Sequence, residues 1–126
     1  MPSLDVSGKM KYRIYHITDL ATWRHAQKVG VYRTRSLKSD GFIHCSYPRQ
    51  ITDVANSLFS GMNDLVILVI EKSRLTCNVV EEDLYDLGEN FPHVYGEIDL
   101  ASVVEVVPFP LGENGTFPLP TAIQLN

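Results

Sequence analysis

From residue 48 to residue 59 the apolar positions Ile51, Val54, Ala55, Leu58 and Phe59 follow the i, i+3, i+4, i+7, i+8 spacing of one helix face. The spacing predicts an amphipathic helix that opens at Pro48 and stops at Gly61 and Asn63. A weaker stripe of Leu20, Trp23 and Gln27, flanked by Ala26 and Val29, predicts a second helix over 19–29. There Thr18 is placed as N-cap, Asp19 lies in the first turn and Gly30 closes the helix, while His25 falls off the stripe and is expected to be exposed. Alternation marks the strands. Over 11–17, Tyr12, Ile14, His16 and Thr18 share one face and Arg13, Tyr15 and Ile17 the other. Over 41–46, Phe42, His44 and Ser46 share one face and Ile43 and Cys45 the other. The unbroken apolar run 65–70 predicts a strand buried on both sides, and 41–46 and 65–70 are expected to be central strands. Further strands are predicted at 78–81, 94–98 and 103–109, with 100–102 as a turn. Residues 31–40 form a polar, basic connection without helical period. Two helices near the start followed mainly by strands imply an α+β fold.

Composition adds little to that pattern. The chain has 126 residues, 44% of them hydrophobic, which suits one domain with its own core. Residues 1–9 are expected to be a disordered tail, 10–110 the domain, and 111–126 a proline-punctuated C-terminal extension. No apolar run approaches the ~20 residues of a membrane span. Cys45 and Cys77 have no metal-type spacing and suggest a reducing compartment, so the expected location is cytoplasmic.

Charge changes the picture more. Residues 1–50 carry nine Lys and Arg against three Asp, a net of +6, and residues 51–126 carry two against twelve acids, a net of −10. The basic half holds His16 and His44. A basic cleft on an acidic protein suits a small phosphorylated ligand better than a long nucleic-acid duplex. The 41–46 strand delivers His44 and Ser46 to the start of the helix at Pro48, where a helix N-terminus favours anions. Arg49 in that first turn opposes the helix dipole unless an anion sits there. His16, His44 and His93 each fit either a ligand-contacting role or that of a hydrogen-bonded core histidine. Together they also fit a His-based divalent metal site, against which stand the absence of a carboxylate at motif spacing and the nearby arginines. Opposite strand faces separate Cys45 from His44 and disfavour a Cys–His nucleophile pair. The sequence has no phosphate loop, dinucleotide fingerprint or nucleophile elbow.

Three segments, Tyr15-His16-Ile17-Thr18, Gly41-Phe42-Ile43-His44-Cys45-Ser46 and Phe91-Pro92-His93-Val94-Tyr95-Gly96, resemble the bacterial family called domain of unknown function 952, in matching order and spacing over about 10–109. That family is similar to the ADP-ribosyltransferase superfamily, in particular to the RNA 2′-phosphotransferases. The resemblance implies a split α+β sandwich of two small sheets around an NAD-type cleft. It implies that His16 with Thr18 holds the adenosine-side ribose and that His44 lies by the nicotinamide ribose, the two being the catalytic residues. Arg33, Arg35, Ser46, Arg49, His93 and Tyr95 would contact the remaining ligand. Protein ADP-ribosyltransferases add a glutamate at a third position. Here the nearest candidates are Glu97 and Asp99, with Glu97 where the family often has proline, so the resemblance does not extend to standard protein ADP-ribosylation. The expected function is binding of NAD or another ADP-ribosyl or phosphorylated nucleotide. That takes the form of either an ADP-ribosyl or phosphoryl transferase, using NAD as co-substrate, no metal, and an RNA or protein acceptor, or a non-catalytic nucleotide-sensing module.

Overall fold

A computed structural model describes residues 12–123. In chain order the elements are β1 (Arg13–Asp19), α1 (Leu20–Val29), β2 (Val31–Tyr32), α2 (Arg35–Ser39), β3 (Ile43–His44), α3 (Ile51–Leu58), β4 (Leu65–Glu71), β5 (Val79–Glu82), β6 (Phe91–Val94), β7 (Ile98–Asp99) and β8 (Val103–Phe109). Single 3₁₀ turns cover Pro48–Gln50, Lys72–Arg74 and Leu100–Ser102. The architecture is α+β, with few helices and three small antiparallel sheets rather than the two expected: β1-β4-β8, β3-β6-β5 and the ribbon β2-β7.

The apolar run of β4 forms the middle of the first sheet, and every one of its residues is buried. Two cores cover its two faces, which is why the run does not alternate. Val66, Leu68 and Ile70 join Ile14 of β1 in a core with Trp23, Tyr32, Ile43, Cys45, Val94 and Ile98. Leu65, Ile67 and Val69 join Tyr15 and Ile17 in the other core, with Ile51 and Ala55 of α3, Phe109, Phe117 and Ile123. Thus the two β1 faces read from alternation are both inward-facing. Residues 111–123 contribute to the second core: Phe117 is 2% exposed, and its N–H donates to Asn56 Oδ1 at 2.9 Å. The expected tail 1–9 lies outside the described residues.

The chain passes from one sheet to the other at residues 43–46. Ile43 and His44 pair with Val94 and His93, whereas Ser46 exchanges two backbone hydrogen bonds with Tyr15 at 2.7 and 2.9 Å. The 41–46 stretch is therefore no central strand. It is a two-residue edge strand that then leans on β1, and β6 occupies the centre of its sheet. Two strand boundaries also move. The predicted strand 94–98 is broken at Tyr95-Gly96-Glu97, so that Phe91–Val94 and Ile98–Asp99 enter different sheets. Gly96 lies so close to Cys77 that an added Cβ would stand 2.6 Å from the Cys77 Cβ.

Among the helices, α1 and α3 stand where the apolar stripes put them, the latter after a 3₁₀ turn at Pro48–Gln50. His25 is exposed, as expected from its place off the stripe. Gly30 closes α1 at φ 99° with its N–H on the Ala26 carbonyl at 2.8 Å. The N-cap is Asp19 and not Thr18: Asp19 Oδ2 accepts the Thr22 N–H at 2.9 Å, while Thr18 remains in β1 and is buried. The connection 31–40 is more regular than its composition suggested, since it holds both β2 and the short α2. Its five-residue helix is too short for a periodic signature. No helix among the described residues is long and apolar enough to cross a membrane.

Candidate functional site

An open cleft of about 970 Å³ lies between the β1-β4-β8 and β3-β6-β5 sheets, walled by β1, residues 32–36, β3, the side of α3 and the 85–91 segment. Its lining includes His16, Thr18, Arg33, Arg35, His44, Ser46 and His93 from the sequence-predicted set. Arg49 and Tyr95 are not on its wall.

His16 stands in β1, and burial decides its chemistry. Its Nδ1 lies 2.6 Å from the His44 carbonyl oxygen and its Nε2 2.7 Å from the Tyr32 hydroxyl. A carbonyl can only accept, so Nδ1 carries the proton and Nε2 accepts from Tyr32. Burial pushes the imidazole down to about 4, the bond to the His44 carbonyl working against that and the His44 charge adding to it. At neutral pH His16 is uncharged. Tyr32 is 1% exposed, and burial raises its phenol to about 12, with the Thr18 side chain opposing. The pair is a buried, fully satisfied unit at the base of the cleft.

His44 is the open counterpart. It is 45% exposed at the side chain, its Nε2 lies 3.3 Å from Asp40 Oδ2, and its ring lies 6.1 Å from that of Tyr85 at 22°. Register places it directly opposite His93, with ring centroids 5.5 Å apart. His93 is 1% exposed and stacked on Phe42 at 4.1 Å. Its Nδ1 donates to Glu82 Oε2 at 2.8 Å, and the Tyr95 hydroxyl donates to the same oxygen. These two bonds, Tyr95 first, hold the Glu82 carboxyl below its ordinary range.

Glu82, Tyr32 and Tyr85 were not singled out by sequence reasoning. A signal for Glu82 existed. In the β5–β6 pairing Val80 faces His93 and Glu82 faces Phe91, so Glu82 is the diagonal neighbour of His93 on the same face. Only the register, which the sequence does not print, makes that relation visible.

The expected anion site is corrected in two respects. The cleft meets the side of α3, through Asp53, Val54, Ser57 and Leu58, and not the helix start at Pro48–Gln50. Arg49 sits over the Tyr47 ring at 5.1 Å instead of facing the cleft. Nor is the cleft uniformly basic. Arg33 pairs with Glu97 at 2.6 Å, and Asp19 and Asp53 share the wall. The acidic half of the chain folds back onto the basic half, so charge separated along the sequence is matched in space. Arg35 lines the cleft and makes no ion pair among the described residues. Of the two candidates for a third-position acid, Glu97 is held by Arg33, and Asp99 accepts the N–H and hydroxyl of Thr76, both at 3.0 Å.

Cys45 is buried and its thiol pushed up by desolvation, as befits a packing residue. Among the described residues no group of three or more His, Cys, Asp or Glu side chains is placed to hold a metal ion.

The family described as "Protein of unknown function (DUF952)" matches residues 17–106. The crystal structure of protein CC0527 from Caulobacter crescentus is similar at 29% identity and a TM-score of 0.80, covering 90% of this chain and 100% of that one. The solution NMR structure of the same protein gives 30% identity and a TM-score of 0.73, covering 82% and 90%. No curated protein matches the chain.

Proposed function

The chain belongs to the DUF952 family, and we propose that it binds a nucleotide of the ADP-ribosyl type, NAD or a relative, in the cleft between its sheets. The observation that carries this reading is the combination around one cleft of an open histidine, an available guanidinium and aromatic surface. His44 and Arg35 suit ribose hydroxyls and phosphate. Tyr85, Phe91, Leu58 and Phe59 offer the apolar surface that a base would cover. The volume suits a ligand of dinucleotide size. The proposal includes kinship with the ADP-ribosyltransferase fold, in which NAD occupies such a cleft.

His44 is the ligand-contacting histidine in this reading, and His16 shapes the floor. With both ring nitrogens already engaged, His16 acts on a ligand through Tyr32 and the His44 backbone. That occupancy favours the non-catalytic sensing module as the second reading. In the enzymatic form, nicotinamide leaves as an acceptor oxygen bonds the anomeric carbon, and the acceptor's proton passes to a base. Slow release of nicotinamide from NAD separates the two forms.

Calorimetry tests the binding. ADP-ribose is expected to bind more tightly than adenosine, because only its phosphates engage Arg35, and added salt is expected to weaken that preference. His44→Ala is expected to weaken ADP-ribose binding by roughly 0.5–1.5 kcal/mol, one lost neutral hydrogen bond. Arg49→Ala is expected to leave it unchanged. Equal affinity for adenosine and ADP-ribose refutes the reading.

A further inference from the structure

We infer that His93 is the proton acceptor of the cleft, held in place by Glu82 and Tyr95, and that the group it accepts from is the hydroxyl of the acceptor that attacks the bound nucleotide. The inference rests on the cleft being the ligand site proposed above, and it adds a residue and a chemistry to that reading.

The contrast with His16 is the starting point. A histidine kept for packing satisfies both nitrogens, as His16 does with the His44 carbonyl and Tyr32. His93 satisfies one. Its Nδ1 meets Glu82 at 2.8 Å, and Nε2 has no hydrogen-bond partner among the described residues. Yet no fully buried side-chain nitrogen or oxygen is left without a partner among those residues. Although His93 is only 1% exposed, Nε2 must therefore reach the surface, and the surface His93 lines is that of the cleft.

The protonation state follows from the partner. A carboxylate only accepts, so the His93 proton is on Nδ1 and the lone pair is on Nε2, facing the cleft. Turning the ring to exchange the two would break the bond to Glu82. Phe42 stacks on it at 4.1 Å and 23°, the His44 ring packs at 5.5 Å and 78°, and β6 is paired on both sides. Glu82 in turn takes the Tyr95 hydroxyl on the same oxygen that meets His93, which fixes the carboxylate. The charged groups around the ring are Glu82 and, beyond His44, Asp40. A carboxylate behind a histidine stabilises the imidazolium that forms when Nε2 takes a proton.

The step balances without a metal or redox partner. The acceptor's hydroxyl oxygen forms a bond to the anomeric carbon of the nicotinamide ribose, and nicotinamide departs with the electrons of the glycosidic C–N bond that breaks. The hydroxyl proton moves to Nε2, and the resulting positive charge lies against Glu82. Glu82 and Tyr95 are positioning residues that act through His93.

Nitrogen-15 NMR of the full chain reads the tautomer directly. Neutral His93 is expected as the Nδ1–H form in the wild type and to shift towards Nε2–H in Glu82→Ala, with His16 unchanged in both. Tyr95→Phe, which removes one hydroxyl, checks the same chain of contacts in a milder variant and is expected to keep the Nδ1–H form. Diethyl pyrocarbonate, which acylates unprotonated imidazole nitrogen, reads whether the Nε2 lone pair is free, since by exposure alone His16 at 7% would react ahead of His93 at 1%. Peptide mapping is expected to show His93 modified and His16 spared. ADP-ribose at 100 times its dissociation constant is expected to slow the His93 reaction by about 100-fold. An Nε2–H form of His93 in the wild type, or reactivity as low as that of His16, overturns the inference. Both readouts are taken first without ligand. Modification that ADP-ribose leaves unchanged therefore refutes the nucleotide reading, while the open Nε2 still supports the acceptor.

Discussion

Acidification offers a direct test of the buried His16–Tyr32 unit. His16 is held neutral at about 4 in the folded chain, chiefly by burial, against roughly 6.5 when unfolded. Between those values the unfolded chain binds a proton that the folded chain does not, so stability rises with pH there. The His16 contribution is complete above about pH 6.5 and is lost as pH falls towards 4. From neutral pH to pH 5 the difference is about 2 kcal/mol. An unfolding entropy of about 2.1 cal/mol/K per residue gives about 0.26 kcal/mol/K for this length, so Tm should fall by about 8 °C. The lowered carboxyls of Asp19, Glu82 and Asp83 also lose stability on acidification, but below the ordinary carboxylate range of roughly 4. Their window lies under that of His16. Urea unfolding of the wild type and His16→Gln at half-unit steps from pH 7.5 to 5 isolates the effect. The wild type is expected to lose about 2 kcal/mol more than the variant over that range. Equal slopes would refute the assignment of His16 as a buried neutral imidazole.

Three other perturbations probe separate parts of the fold. Tyr32→Phe leaves the His16 Nε2 without its donor in a buried setting and is expected to lower stability by about 1–3 kcal/mol in denaturant titrations, well above the loss for an exposed tyrosine such as Tyr85. Gly96→Ala is expected to be destabilising because the new Cβ meets the Cys77 Cβ at 2.6 Å. Cys77→Ala keeps that Cβ and should not rescue it, whereas Cys77→Gly should. Phe117→Ala is expected to lower stability by about 3–5 kcal/mol; a change below 1 kcal/mol would mean that the segment after residue 110 is not part of the core.

The repeating patterns were legible in the sequence because local geometry alone produces them. The stripe Ile51, Val54, Ala55 gave a helix whose buried residues are Ile51 and Ala55. The unbroken run 65–70 gave a strand covered on both sides. The glycine after Val29 gave a left-handed cap. Cys45 packs with Ile43 in the core, as expected, while His44 is half-exposed, although both border the cleft. What stayed hidden depends on pairs of residues far apart along the chain. Thr18 and Asp19 can both cap by type, and both are paired in the sheet, but the Asp19 carboxylate meets the Thr22 N–H while the Thr18 side chain is buried. Arg33 looked free until Glu97, 64 positions later, came within 2.6 Å. His16 and His93 share a residue type and a buried setting. Tertiary structure alone separated them, giving the first two partners and the second one partner and an open nitrogen. Pairing register and burial fix hydrogen-bond partners and dielectric surroundings, and neither is a property of the residues taken singly.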